Sequence, residues 1–204
     1  MIKKHHTPAY IKNRLKQIWF EKMNPEAPWL TKDAIQLLDQ LIKNDDIGLE
    51  FGSGRSTKWL CERCNYLYSV ENNQEWFNIV NDDISNRNNV KYVFGQVNNM
   101  EPEKSEYISI IESLEDNSID FILNDGKIRD IVAIKTLRLL KKGGLYILDN
   151  AERYLINSLN IPASIGLDDN SMSPEWIYFK ELTDSWRRIW TTNGVSSTLI
   201  LFKP

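Results

Sequence analysis

The chain is poor in the residues that build metal centres and disulfide frameworks. It has only 2 His and 2 Cys among 204 residues. The two thiols, Cys61 and Cys64, form a lone C-x-x-C. A zinc site needs about four ligands, and His5 and His6 lie far away in sequence. Two reduced core thiols are therefore expected, as suits a reducing compartment. No stretch approaches the roughly 20 apolar residues of a membrane helix, and "MIKKHH" leads into polar sequence rather than a signal-peptide core. A cytoplasmic location and no membrane insertion are expected. The chain also lacks a basic excess: 25 Lys+Arg face 28 Asp+Glu, a net charge of −3. That argues against a general nucleic-acid partner. No G-x-x-x-x-G-K-[ST] occurs, which removes the phosphate-binding P-loop.

What is present is an alternation of short apolar runs and amphipathic segments. Residues 8–22 and 31–43 read as helices, separated by Pro25 and Pro28. Strands are expected at 47–51, 66–70, 90–94, 119–124 and 144–149, and helices at 56–63, 73–84, about 105–113 and 129–141. "LRLLKKGG" reads as a helix end, with cations before glycine. Alternating strands and helices imply a parallel sheet covered on both faces. The pattern changes at the end, where "NGVS" between apolar runs at 186–192 and 197–203 signals an antiparallel hairpin. The fold class is thus α/β, a doubly wound Rossmann-like sheet, mostly parallel, with an antiparallel C-terminal hairpin strand. The polar segment "NSLNIPASIGLDDNSMSP", part of a 155–174 stretch, reads as a long loop.

"IGLEFGSGRST" carries the first chemistry. A strand ends in Glu50, a Gly52-Ser53-Gly54 turn follows, and Ser56 and Thr57 open a helix. A dinucleotide site would place a third glycine where Thr57 stands. Glu50 would also repel a pyrophosphate. A sulfonium or an ammonium would be favoured by that carboxylate instead. The glycines would let backbone approach the ligand, and the hydroxyls of Ser56 and Thr57 would cap the helix or bind a ligand carboxylate. Glu71, followed by Asn72, ends the second strand, where a ribose-binding acid belongs. That position serves a nicotinamide dinucleotide and S-adenosylmethionine alike.

"LEFGSGRST" with "SVENN" resembles the class I S-adenosylmethionine-dependent methyltransferases. The resemblance covers about residues 45–203. It implies a seven-stranded sheet and S-adenosylmethionine as cofactor. It further implies that Glu71 binds the ribose hydroxyls and that Gly52, Ser53 and Gly54 line the methionine moiety, with Gln96 in "VFGQVNN" near the adenine. On this reading 1–204 is one methyltransferase domain, with 1–44 as a helical cap and 45–204 as the Rossmann-like core.

Two further strand ends carry acids, "DFILNDG" and "LYILDNAERY". Asp125, Asp149 and Asn150 are expected at the sheet edge where ligands bind. Such oxygen donors suit Mg2+. The set resembles the metal-dependent small-molecule O-methyltransferases of the catechol and caffeoyl-coenzyme A types. That likeness implies a divalent ion on Asp125, Asp149 and Asn150 that activates an acceptor hydroxyl. Without a metal, Asp149-Asn150 would cap a helix or touch ligand directly. Those enzymes carry a lysine where this chain has Ile128. Lys127 becomes the candidate base beside Asp125 and Asp149, and Arg129 a candidate clamp for an anionic group. "NDGKIR" is closer to methyltransferases with D-G-x-x-R. Trp176 and Tyr178 are candidate pocket walls, whereas Trp59 and Trp76 read as core. The expected acceptor is a small molecule or saccharide, and a homodimer is allowed. A binding module without turnover and a NAD-dependent oxidoreductase are the alternatives.

Overall fold

The computed structural model describes residues 7–167 and 171–204. His5, His6 and residues 168–170 of the long loop lie outside them. The chain opens with α1 (Pro8–Met23), whose N-cap Thr7 accepts from the Tyr10 amide with proline at the first turn. α2 (Lys32–Leu41) follows, capped by Thr31. Then come β1 (Ile47–Phe51), α3 (Arg55–Cys61), β2 (Tyr66–Glu71), α4 (Gln74–Asp83) and β3 (Val90–Phe94). The second half holds β4 (Ile119–Asn124), α5 (Arg129–Thr136), β5 (Leu140–Asp149), α6 (Pro174–Leu182), β6 (Arg187–Thr192) and β7 (Ser197–Phe202).

The strands form one sheet in the order β3-β2-β1-β4-β5-β7-β6. β1 to β5 pair in parallel. β7 is antiparallel to both β5 and β6. The expected seven-stranded doubly wound sheet with its antiparallel hairpin is therefore present. Strand order reverses between β1 and β4, and ligands bind outside the carboxyl ends of strands at such a switch point. The sheet is apolar on both faces. Leu49, Phe51, Ile122 and Leu148 belong to one core cluster, and Phe121, Leu123, Ile147 and Ile200 to the other. Cys61 and Cys64 are free and buried in the second cluster. Burial pushes both thiols up to about 12.

The elements depart from expectation in three places, by helix type, by a boundary and by an added helix. The segment near 105–113 is a 3-10 helix, Glu106–Ser113. The helix expected over 129–141 ends at Thr136, and "LKKGG" already belongs to β5. Gly143 (φ 77) and a register shift between Ile119 and Phe121 absorb that irregular start. The long loop stops at Ser173, which caps α6 with Pro174 in the first turn.

α1 is built the wrong way round for a core helix. None of its side chains is buried. Ile11, Leu15, Ile18, Trp19 and Met23 stand 47–65% exposed along one face. Asn13, Gln17 and Phe20 face a cavity of about 270 Å3 against Leu30 and Thr192. No helix among the described residues is long and apolar enough to cross a membrane.

Candidate active site

The carboxyl ends of β1, β2 and β4 open onto a cavity of about 680 Å3. Gly52, Ser53, Glu71 and Asn72 line one side, and Asp125 to Asp130 line another. Trp29, Arg153, Tyr154 and Trp176 complete it. Its volume lies within the range of small-molecule sites.

The glycine turn is held by the strands on either side, β2 and β4. The Gly52 amide donates to the Val70 carbonyl (2.9 Å), and the Asp125 amide donates to the Phe51 carbonyl (2.9 Å). Gly52 has φ 90, a region that side chains avoid. A Cβ there would come within 2.7 Å of the Gly126 backbone, and one on Gly126 would meet the Tyr107 hydroxyl at 1.8 Å. The first glycine is thus required by the close approach of two turns, where the sequence suggested approach to a ligand. A Cβ on Gly54 would make only ordinary contact with Trp76, at 3.7 Å.

Glu71 is 5% exposed and fully hydrogen-bonded. Its Oε2 accepts from the Ser53 amide and hydroxyl (both 3.0 Å), and its Oε1 from the Asn72 and Asn73 amides (both 2.8 Å). The Ser53 hydroxyl also sits 2.6 Å from the Tyr92 hydroxyl. Trp76 donates its indole N–H to the Ser53 carbonyl (2.7 Å) and stacks on Trp29. The expected core residue Trp76 therefore braces the turn.

Glu50 lies beneath the turn, with no exposed surface, and does not reach the cavity. Its Oε2 accepts from Thr57 (2.7 Å) and Ser69 (2.6 Å), and its Oε1 has no hydrogen-bond partner. Burial pushes the carboxyl up to about 7 against the hydroxyls of Ser56, Ser69 and Thr57. Thr57 also accepts from the Gly54 amide (3.0 Å). Gly54, Ser56 and Thr57 thus shape the turn from behind, and none lines the cavity. Gln96 stands in an adjoining cavity that shares Asn72 and Lys127 with the first.

Asp125 and Asp149 come near enough to interact, but the structure gives the expected metal set no support. Arg129 occupies the gap between the two strand ends. It donates to Asp125 Oδ1 (2.6 Å), to the carbonyls of Asp125 (2.8 Å) and Gly126 (3.0 Å), and to the Asp149 carbonyl (2.6 Å). Its guanidinium lies 5.6 Å from the centre of the Tyr154 ring. Asp149 is 3% exposed, and its Oδ1 accepts from Thr198 (2.8 Å). Burial, with Asp125 adding to it, drives that carboxyl well above the carboxylate range. Asn150 has left-handed backbone (φ 50), and neither Asp149 nor Asn150 lines the cavity. Among the described residues no cluster of three His, Cys, Asp or Glu could hold a metal ion. With one carboxylate ion-paired and the other buried and raised, the donors do not fit Mg2+. Burial also raises Asp125, opposed first by Arg129.

Ile128, at the position of the expected lysine, takes left-handed backbone (φ 42, ψ 44). Such a conformation is strained for a β-branched residue. Lys127 is exposed beside it. Trp176 lines the cavity, stacked on Tyr154 with ring centres 5.0 Å apart. Tyr178 is 49% exposed and does not line it. Trp29, Tyr154 and Arg153 carry no sequence signal beyond residue type, because Trp29 comes from a loop and the other two from a short 3-10 turn (Ala151–Arg153) after β5.

No family model and no curated protein matches the chain. Solved structures do. A candidate caffeoyl-CoA O-methyltransferase from Staphylococcus aureus superposes with a TM-score of 0.60 at 17% identity, over 98% of this chain and 94% of that one. A methyltransferase from Geobacter sulfurreducens gives 0.55 at 13% identity, over 94% and 89%. Aeropyrum pernix fibrillarin, with natively bound S-adenosyl-L-methionine, gives 0.54 at 16% identity, over 83% and 74%. At these identities the likeness is one of fold: the chain has the seven-stranded α/β fold that these methyltransferases share.

Proposed function

We propose that the chain transfers a methyl group from S-adenosylmethionine to a hydroxyl of a small molecule or saccharide. One observation carries the proposal. Glu71 and the Gly52-Ser53 turn share a cavity with Asp125 and a stacked Tyr154–Trp176 pair, at the switch point of the sheet. S-adenosylmethionine supplies a methyl group activated by a sulfonium cation. The carboxylates of Glu71 and Asp125 favour a cation in that space. Its ribose hydroxyls would donate to Glu71. All four lone-pair directions of Glu71 are already engaged, so one donor must yield. The Ser53 hydroxyl can turn to Tyr92, which is already within 2.6 Å.

The Tyr154–Trp176 wall suits the flat face of an acceptor ring. Arg129 stands where the resemblance placed a divalent ion, and no step runs through a metal. It fixes Asp125 Oδ1 and leaves Oδ2 to take the acceptor's proton. Burial raises this carboxyl and makes it a better base. Lys127 borders both cavities and can meet an anionic part of the acceptor. The protein's main contribution is position: it aligns the acceptor oxygen with the methyl group.

Thermal shift and calorimetry test the reading. S-adenosylmethionine and S-adenosylhomocysteine should stabilise the chain, and Glu71→Gln should weaken both by tenfold or more. Stabilisation by NAD alone would overturn it.

A further inference from the structure

We propose that α1 docks the protein on an anionic lipid surface. The inference is independent of the cavity's chemistry. It begins with the inverted helix. A surface helix ordinarily turns its apolar stripe to the core, as α2 does with Ala34 and Leu38. α1 turns Ile11, Leu15, Ile18, Trp19 and Met23 away from the protein. Their spacing places them on one side of about four turns. The helix contributes no buried side chain, so packing within the fold does not account for the stripe.

Charge selects the occupant. Residues 1–23 contain six Lys and Arg (Lys3, Lys4, Lys12, Arg14, Lys16 and Lys22) against the single acid Glu21. The rest of the chain has 19 basic against 27 acidic residues. By helical angle, Arg14 borders one side of the stripe and Lys16, at the edge of the cavity beneath α1, the other, while Lys12 lies within the stripe near that second side. Lys22 extends from within the stripe at its C-terminal end, where a long stem can lie along apolar surface with its charge at the boundary. Trp19 is the residue type that favours a membrane interface. Basic flanks, an apolar stripe and an interfacial tryptophan match a bilayer that offers apolar depth beneath negative headgroups. A second copy matches less well. Two α1 segments would bring like charges together, and one face of a 16-residue helix falls short of the roughly 800 Å2 per partner of a stable interface.

The consequence is positional. Trp29, six residues beyond the end of α1, lines the mouth of the cavity. A docked α1 would hold that mouth close to the headgroups.

Co-sedimentation with vesicles tests the proposal. The full chain is mixed with phosphatidylcholine vesicles, with or without an equal share of phosphatidylglycerol, at low and high salt. It should bind the anionic vesicles at least tenfold more strongly than the neutral ones, and salt should weaken the binding. Leu15→Glu with Trp19→Glu should abolish binding. Lys12→Glu with Lys16→Glu should reduce it tenfold or more. All four side chains are exposed, so circular dichroism and melting temperature should match the parent. Equal binding to both vesicle types, or unchanged binding by the Leu15/Trp19 variant, would overturn the proposal. So would light scattering that shows a dimer which Trp19→Glu dissociates.

Discussion

Glu50 ties stability to pH through one buried carboxyl. Its ordinary value is near 4.5, and burial lifts it to about 7 in the folded chain. Between those values the unfolded chain loses the proton and the folded chain keeps it, so stability falls as pH rises from about 4.5 to 7 and levels above. The contribution is about 3 kcal/mol over that window. Chemical denaturation of the parent and Glu50→Gln across pH 4.5–8 should differ by this slope; parallel curves would contradict it. Gly126 makes a second residue-scale claim. Gly126→Ala drives a methyl group into the Tyr107 hydroxyl and should destabilise by about 1–3 kcal/mol. Adding Tyr107→Phe should recover part of the loss in a denaturation cycle. The places of Gly52, Ser53, Glu71 and Asp125 at the cavity are legible in sequence because each ends or follows an apolar run, whereas the burial of Glu50 beneath the turn is not. Nor is the role of Arg129. Its four-residue spacing from Asp125 hints at a helical ion pair, yet the bond to the Asp149 carbonyl depends on how β4 and β5 lie side by side. The expected metal finds no support in the structure, and sequence cannot show that Arg129 already pairs with Asp125 and reaches the Asp149 carbonyl.

At the scale of elements, Thr31 joins the N-terminal region to the far edge of the sheet. It caps α2, its hydroxyl lies 2.5 Å from that of Thr191, and its amide donates to Thr198 (3.3 Å). Thr31→Ala removes the cap and leaves the buried Thr191 hydroxyl with the Thr198 carbonyl as its remaining partner, which should cost about 1–2 kcal/mol. Thr31→Ser should retain most of the stability when urea midpoints are compared. The C-terminal hairpin was readable from Asn193-Gly194, and Gly194 has the positive φ (78) that such turns demand. The end of α5 is hidden in sequence because Lys141, Lys142 and Gly143 carry the composition of a helix stop. They instead form the exposed, irregular opening of β5. α6 is obscured in sequence by the polar run before it, although Ser173-Pro174 is a helix-start signal.

At the scale of the whole molecule, the order of the sheet follows from strand–helix alternation and right-handed crossovers. The placement of the site follows from the reversal between β1 and β4. A ligand bound there touches three strand ends at once and should stabilise the entire chain. At a hundredfold excess over Kd the gain is about 2.7 kcal/mol, a rise of roughly 5–10 °C in Tm. Differential scanning calorimetry with S-adenosylmethionine checks this; a ligand-independent Tm would contradict it. The outward stripe of α1 was invisible in sequence, since periodicity reveals that a helix has two faces and not which one meets the protein.

Gly52 and Gly126 leave no room for a methyl group between the β1–α3 and β4–α5 turns. The two turns are therefore one inheritable unit. Drift or engineering can refit the Trp29 loop and the Arg153–Tyr154 turn separately to suit a different ligand. Any change of path in either glycine turn demands a matching change in the other.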